Sequence, residues 1–259
     1  MAATPIQAVL IDISGVLAVG GRAVPGSVEA LQRLRDAGRS VRFLTNTTRK
    51  PRAVLVGELA SMGFELDLEE VFTAPLAARR LIEQNGWRPH LLVHEALLVD
   101  FEGLDTDPPN AVVVGDAGDH FTYATLNQAF NVLVGEGTHL ISMGSNRYFR
   151  DGDGELALDM GPFVQALEFA AGVQAKVTGK PAPAFFRAAL QDLGVRAGAA
   201  VMIGDDLPND IGGARACGIP GVLVRTGKFR PADEHDPDVS PDAVCDDFAA
   251  AVEWVLGQG

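Results

Sequence analysis

Four short polar clusters carry residue types suited to phosphoryl transfer: Asp12, Thr45-Asn46, Lys180, and Asp205-Asp206 with Asp210. A carboxylate can attack phosphorus and divide one hard displacement into two easier ones, which makes Asp12 the candidate nucleophile. A threonine hydroxyl followed by backbone N–H groups at a helix start suits phosphate oxygens, and Thr45-Asn46-Thr47-Thr48 reads that way. Lys180, before Pro181, would set a fixed positive charge against the phosphoryl group in the transition state. Magnesium takes oxygen ligands in an octahedron and usually only one or two carboxylates. Asp12 and Asp205 are the expected pair, with Asp206 and Asp210 orienting the site.

Each cluster has an ordinary structural reading when taken alone. An aspartate after a strand is commonly a turn residue, and a Thr/Asn run is commonly a helix cap. Their common placement is what argues for function. Asp12 follows the apolar run Ala8–Ile11, Thr45 follows Val41–Leu44, and Asp205 follows Val201–Ile203. In open α/β sheets, ligands bind beyond the carboxyl ends of the strands.

The elements needed to hold these residues are legible along the chain. Short apolar runs alternate with amphipathic segments, which predicts an α/β fold with a parallel sheet wrapped by helices. Strands are expected at 8–11, 41–44, 91–93, 111–114, 139–142, 175–177, 201–203 and 222–224. Helices are expected near 27–37, 51–62, 75–84, 121–133, 162–169 and 248–256, with Ser27 as the cap of the first. Asp151–Gly154 reads as a hairpin tip, and Pro231–Pro241 as a surface loop.

Composition narrows the partners. The 259 residues carry a formal net charge of −13, which disfavours nucleic acid and anionic membranes as partners. A phosphorylated small molecule remains compatible, because a bound divalent cation inverts the local field. Two cysteines, Cys217 and Cys245, are too few for a disulfide framework. The start lacks a basic segment before its apolar run, and no apolar stretch reaches the roughly 18 residues of a membrane span. A cytoplasmic protein is expected.

The four clusters together resemble the haloacid dehalogenase (HAD) superfamily. Asp12-Ile13-Ser14-Gly15-Val16, Leu44-Thr45-Asn46, Gly179-Lys180-Pro181 and Ile203-Gly204-Asp205-Asp206 with Asp210 match its four motifs in order. The resemblance implies a doubly wound Rossmann-like core (1–74 and 178–259) with an inserted α/β cap of the C2 type, subclass IIA (75–177). It implies a magnesium-dependent phosphatase forming an aspartyl-phosphate on Asp12 and acting on small phosphorylated compounds. By the same resemblance, Thr45, Asn46 and Lys180 bind the phosphoryl group. Asp12, the Ser14 carbonyl, Asp205 and Asp210 form the metal site. His94, His120, His139 and Arg147 lie in the cap as candidates to face substrate. Closure of core and cap would exclude water from the first step. Relatives with this cap often form homodimers.

Ser14 departs from the family pattern. Most phosphatases of this family carry a second aspartate there, acting as general acid and then base. A serine hydroxyl is a poor acid or base near neutrality, and losing such a group costs about 100- to 10,000-fold where the step needs it. An alkoxide leaving group needs a proton as it departs, whereas a phosphate or a protonated amine does not. Ser14 therefore points toward P–O–P, P–N or acyl-phosphate bonds and away from alkyl monoesters. The competing expectation is a phosphate-binding protein with feeble turnover. Hydrolytic dehalogenation is disfavoured, since it needs no acidic metal cluster.

Overall fold

The computed structural model describes residues 5–150 and 155–258, so the expected Asp151–Gly154 tip lies outside the described residues. The chain divides into two compact units. The first comprises Met1–Thr45, Leu55–Phe72 and Lys180–Gly259; the second comprises Asn46–Val54 and Thr73–Gly179.

A six-stranded sheet organises the first unit, in the order Ala243–Cys245, Gly221–Val224, Ala200–Gly204, Ala8–Asp12, Ser40–Thr45, Val71–Thr73. Ala8–Asp12 pairs in parallel with both neighbours, Ala200–Gly204 and Ser40–Thr45. Numbered by their occurrence in this sheet, the strands run 6-5-4-1-2-3. The direction of chain progress therefore reverses between Ala8–Asp12 and Ala200–Gly204, which is where a doubly wound sheet opens a crevice. All five residues of each of these two strands are buried. Burial on both faces explains why they read as continuous apolar runs instead of alternating ones.

Helices cover the sheet with apolar stripes. Ser27–Asp36 turns Ala30, Leu31 and Leu34 inward and lies beside Phe248–Leu256, which buries Phe248, Val252 and Val255. Asp247 caps the latter helix by accepting from the Ala250 N–H. Ser27 does not cap its own helix. Gly26 occupies the cap position, and the buried Ser27 hydroxyl donates instead to the Val24 carbonyl at 2.6 Å.

The second unit has its own parallel sheet, ordered Ala175–Val177, His139–Ser142, Ala111–Val114, Pro89–Leu92. Its core gathers Ala78 and Ile82 with Val112–Val114, Leu140, Ile141 and the buried face of Met160–Ala171. Tyr123–Leu133 starts after a capping box of Thr122 and Thr125. Phe121 and Phe163 stack with ring centroids 3.8 Å apart. Tyr148–Arg150 and Leu156–Leu158 pair antiparallel.

Candidate active site

Asp12 is the last residue of its strand, and Asp205 directly follows Gly204 at the end of the neighbouring strand. Ile11 and Ile203 are register partners, so both carboxylates emerge at the same end of the sheet, at the reversal point. A wide π-helical turn, Leu207–Gly212, then brings Asp210 back toward the strand end. Such turns recur at functional positions because they re-aim a side chain. Asp12, Asp205 and Asp210 are buried, and each offers a carboxylate oxygen within 4.8 Å of the other two.

Lys180 joins this group from the start of another segment. Its ammonium donates to Asp12 Oδ1 at 2.5 Å and to Asp210 Oδ1 at 2.6 Å, with its side chain 5% exposed. Burial works against the ammonium, but attraction from Asp12 and Asp210 overrides it and holds the pKa above the ordinary lysine value. The carboxyls are pushed the other way. Burial raises Asp12 to about 6, and Lys180 beside it limits the rise while Asp205 adds to it. Burial likewise raises Asp205 and Asp210 to about 6 each.

Backbone shape makes room for the cluster. Gly15 has φ +94° and Gly227 has φ +59°, and a Cβ on either would run into the Asp205 carboxylate. The Thr226 hydroxyl donates to the Gly15 carbonyl, and the Lys228 N–H donates to Asp205 Oδ2 at 2.7 Å. Asp206 turns elsewhere. It accepts from the Asn209 backbone at 3.1 Å, the Asn209 side chain at 2.9 Å and the Lys228 ammonium at 3.0 Å. Burial opposes its charge, yet Lys228 and Asn209 keep its carboxyl below the usual range.

The donor set suits a hard divalent cation. Three buried carboxylates supply oxygen ligands only, which is what magnesium or calcium takes. With Asp206 and Lys228 included, four carboxylates face two ammonium groups, a surplus of two negative charges. A doubly charged ion would balance it and hold the raised carboxyls ionised.

The other residues picked from the sequence fall as follows. Thr45 is buried at the end of its strand, one residue past Leu44, the register partner of Asp12. Asn46 begins the segment that belongs to the second unit. Thr45–Thr48 does not open a helix: Thr45 ends its strand, residues 46–48 are irregular, and the helix starts only at Arg52. Pro51 sets this limit, since it disfavours a helical residue before it. Thr48 is used differently, its hydroxyl accepting from the Asp116 N–H at 3.4 Å. The Ser14 side chain is exposed.

In the second unit, His94 caps a short helix by accepting from the Ala96 N–H at 3.2 Å, and His139 stacks on Trp87 at 3.9 Å. His120 and Arg147 are exposed. Cys217 and Cys245 are free thiols, both raised by burial.

Lys228 is the participant that sequence reasoning missed. A single lysine in Thr226-Gly227-Lys228-Phe229 has no spacing signal. The hint available was its place soon after Val222–Val224, at another strand end of the same sheet.

A parallel 3-2-1-4-5-6 sheet with an acidic cluster at its reversal point defines a doubly wound hydrolase-type core. Residues 9–105 match the haloacid dehalogenase-like hydrolase family, and residues 177–251 match the HAD-hydrolase-like family. The chain belongs to the haloacid dehalogenase-like hydrolases. It is 48% identical over 256 residues to phospholysine phosphohistidine inorganic pyrophosphate phosphatase of Homo sapiens, covering 97% of this chain and 94% of that one. Among solved structures, p-nitrophenyl phosphatase from Archaeoglobus fulgidus superposes with a TM-score of 0.89 at 26% identity, covering 96% and 99% of the two chains. Glycerol phosphate phosphatase from Mycobacterium tuberculosis, solved in complex with magnesium, gives 0.82 at 27% identity, covering 96% of this chain and 77% of that one.

Proposed function

We propose that the chain, a phosphatase of the haloacid dehalogenase-like family, works through an aspartyl-phosphate on Asp12 and uses magnesium. The observation that carries this reading is Lys180, buried between Asp12 and Asp210, with Asp205 in the same cluster. The first unit is the hydrolase core and the inserted second unit its cap.

An Asp12 carboxylate oxygen forms a bond to phosphorus as the bond from phosphorus to the leaving group breaks, and that electron pair departs with the leaving group. Water then attacks the aspartyl-phosphate, releasing phosphate and restoring the carboxylate. Lys180 supplies a fixed positive charge that needs no reorganisation during the step. Thr45 and Asn46 bind phosphoryl oxygens. Asp12, the Ser14 carbonyl, Asp205 and Asp210 would hold magnesium, which when bound neutralises charge on the transferring group. Asp206 keeps the Leu207–Gly212 turn in shape through Asn209.

The substrates are small phosphorylated compounds whose leaving group departs without an enzyme acid, because Ser14 cannot supply one. The relative from Homo sapiens is named for phospholysine, phosphohistidine and inorganic pyrophosphate, all with P–N or P–O–P bonds. Nothing favours the feeble binding protein as an alternative. The test is phosphate release from pyrophosphate, a phosphoramidate and alkyl monoesters, with and without magnesium. Release is expected to need magnesium, and Ser14→Asp is expected to raise monoester turnover relative to phosphoramidate turnover. An unchanged ratio in Ser14→Asp contradicts the role given to Ser14.

A further inference from the structure

We infer that Lys228 is a specificity residue that receives the second, anionic phosphate of a pyrophosphate-type substrate. The inference rests on the phosphatase reading above and adds to it the group that meets the departing half of the substrate.

Lys228 differs from Lys180 in the same cluster. Lys180 is buried and engaged by two carboxylates, whereas the Lys228 side chain is 68% exposed. Its base is nevertheless fixed. The Lys228 N–H is bonded to Asp205, Gly227 is pressed against Gly15 and Asp205, and the Thr226 hydroxyl holds the Gly15 carbonyl. An ammonium on a long stem thus projects from a rigid anchor set between the nucleophile loop and Asp205.

The ammonium is also available. Its partner Asp206 already accepts two hydrogen bonds from Asn209, so Asp206 stays satisfied when Lys228 turns away. A partly exposed ion pair contributes little and is readily exchanged for a more highly charged partner.

In the transfer step the Asp12 oxygen–phosphorus bond forms and the bridging oxygen–phosphorus bond breaks. The electron pair stays on the departing phosphate, and Lys228 keeps its proton. It contributes by charge and hydrogen bonding to oxygens that gain negative charge. A phosphoramidate protonated on nitrogen leaves as a neutral amine and gains little from it.

The test compares binding of pyrophosphate and of inorganic phosphate, by titration calorimetry with magnesium, to Asp12→Asn protein with and without Lys228→Met. Substitution leaves the backbone N–H to Asp205 in place, so the carboxylate cluster keeps that contact. Pyrophosphate affinity is expected to fall about tenfold or more, as for loss of one charge-assisted hydrogen bond, with phosphate affinity changed less than about twofold. Lys228→Arg is expected to restore most of the pyrophosphate affinity. Equal losses for both ligands, no loss for either, or no pyrophosphate binding at all would overturn the inference. Turnover separates the two claims. A wild-type protein that binds pyrophosphate but releases phosphate neither from it nor from a phosphoramidate or a monoester refutes the mechanism proposed above, and the binding comparison still judges Lys228.

Discussion

The two units are each built on a parallel sheet wrapped by helices, yet their strand ends handle charge differently. In the second unit, Asp116 lies just beyond Ala111–Val114 and is buried, like the aspartates of the first unit. Its charge is met directly by an arginine, which the buried Asp159 also feels. Arg49 donates to Asp116 through Nε at 2.5 Å and Nη2 at 3.2 Å, and stacks its guanidinium 4.9 Å from the Phe149 ring centroid. Ser142, at the end of the next strand, uses its hydroxyl on the Gly144 carbonyl. In the first unit the strand ends hold four carboxylates against two ammonium groups. A polar residue at a strand end is therefore common to both sheets. An uncompensated cluster at the reversal point distinguishes the one equipped for chemistry.

Removing charge from each region should separate these roles. The largest effect is expected for Lys180→Met. Activity should fall by on the order of 100- to 1,000-fold, as for loss of a preorganised charge at a transferring group. Stability without metal should fall by about 3–5 kcal/mol, because two buried carboxylates lose their partner. Steady-state kinetics and denaturant unfolding measure the two losses. Retained activity would place Lys180 with the structural pairs.

A smaller effect concerns pH. Asp12, Asp205 and Asp210 titrate near 6 when folded, against about 3.8 for ordinary aspartate. Between those values the folded chain binds protons that the unfolded chain has released. On these groups, metal-free stability therefore rises as pH falls through 6 toward 4. A divalent cation competes for the same oxygens. The rise in Tm on adding magnesium should be largest at about pH 8 and fade by about pH 5. A pH-independent increment would show that these carboxylates do not hold the ion.

The smallest effect is expected in the second unit. Arg49→Ala should cost about 1–2 kcal/mol of stability, since the arginine is half-exposed while Asp116 is buried. Its kcat should change less than about threefold, a change within about 0.7 kcal/mol. A large loss of kcat without loss of stability would erase the contrast between the two sheets.

How far the sequence carried follows from the range of each signal. Asp12, Thr45 and Asp205 were legible because each ends a buried apolar run, and the run itself announces the strand. Lys180 and Asp210 came through motif order. Val71–Thr73 and Ala243–Cys245 were not legible, since three residues are too few to show a period. The Arg49–Asp116 pair spans 67 positions, and no local pattern marks such a contact. Ser27 has the chemistry of a cap, but Gly26 adopts φ +77° and takes the position, leaving the hydroxyl to fold back on Val24. The helix expected from Pro51 does start there, at Arg52, but it leaves Thr45–Thr48 outside it, so those residues are not its first turn. Local propensity placed the elements, and long-range contacts decided what the polar residues do.

The central claim is covalent chemistry at Asp12, and rapid acid quench of the protein turning over pyrophosphate with magnesium tests it most directly. Mass spectrometry should find a phosphoryl group on the peptide carrying Asp12 early in the reaction, and none on that peptide in Asp12→Asn, which should also release no phosphate. Phosphate release that persists in Asp12→Asn, or a phosphoryl group on another residue, would contradict it.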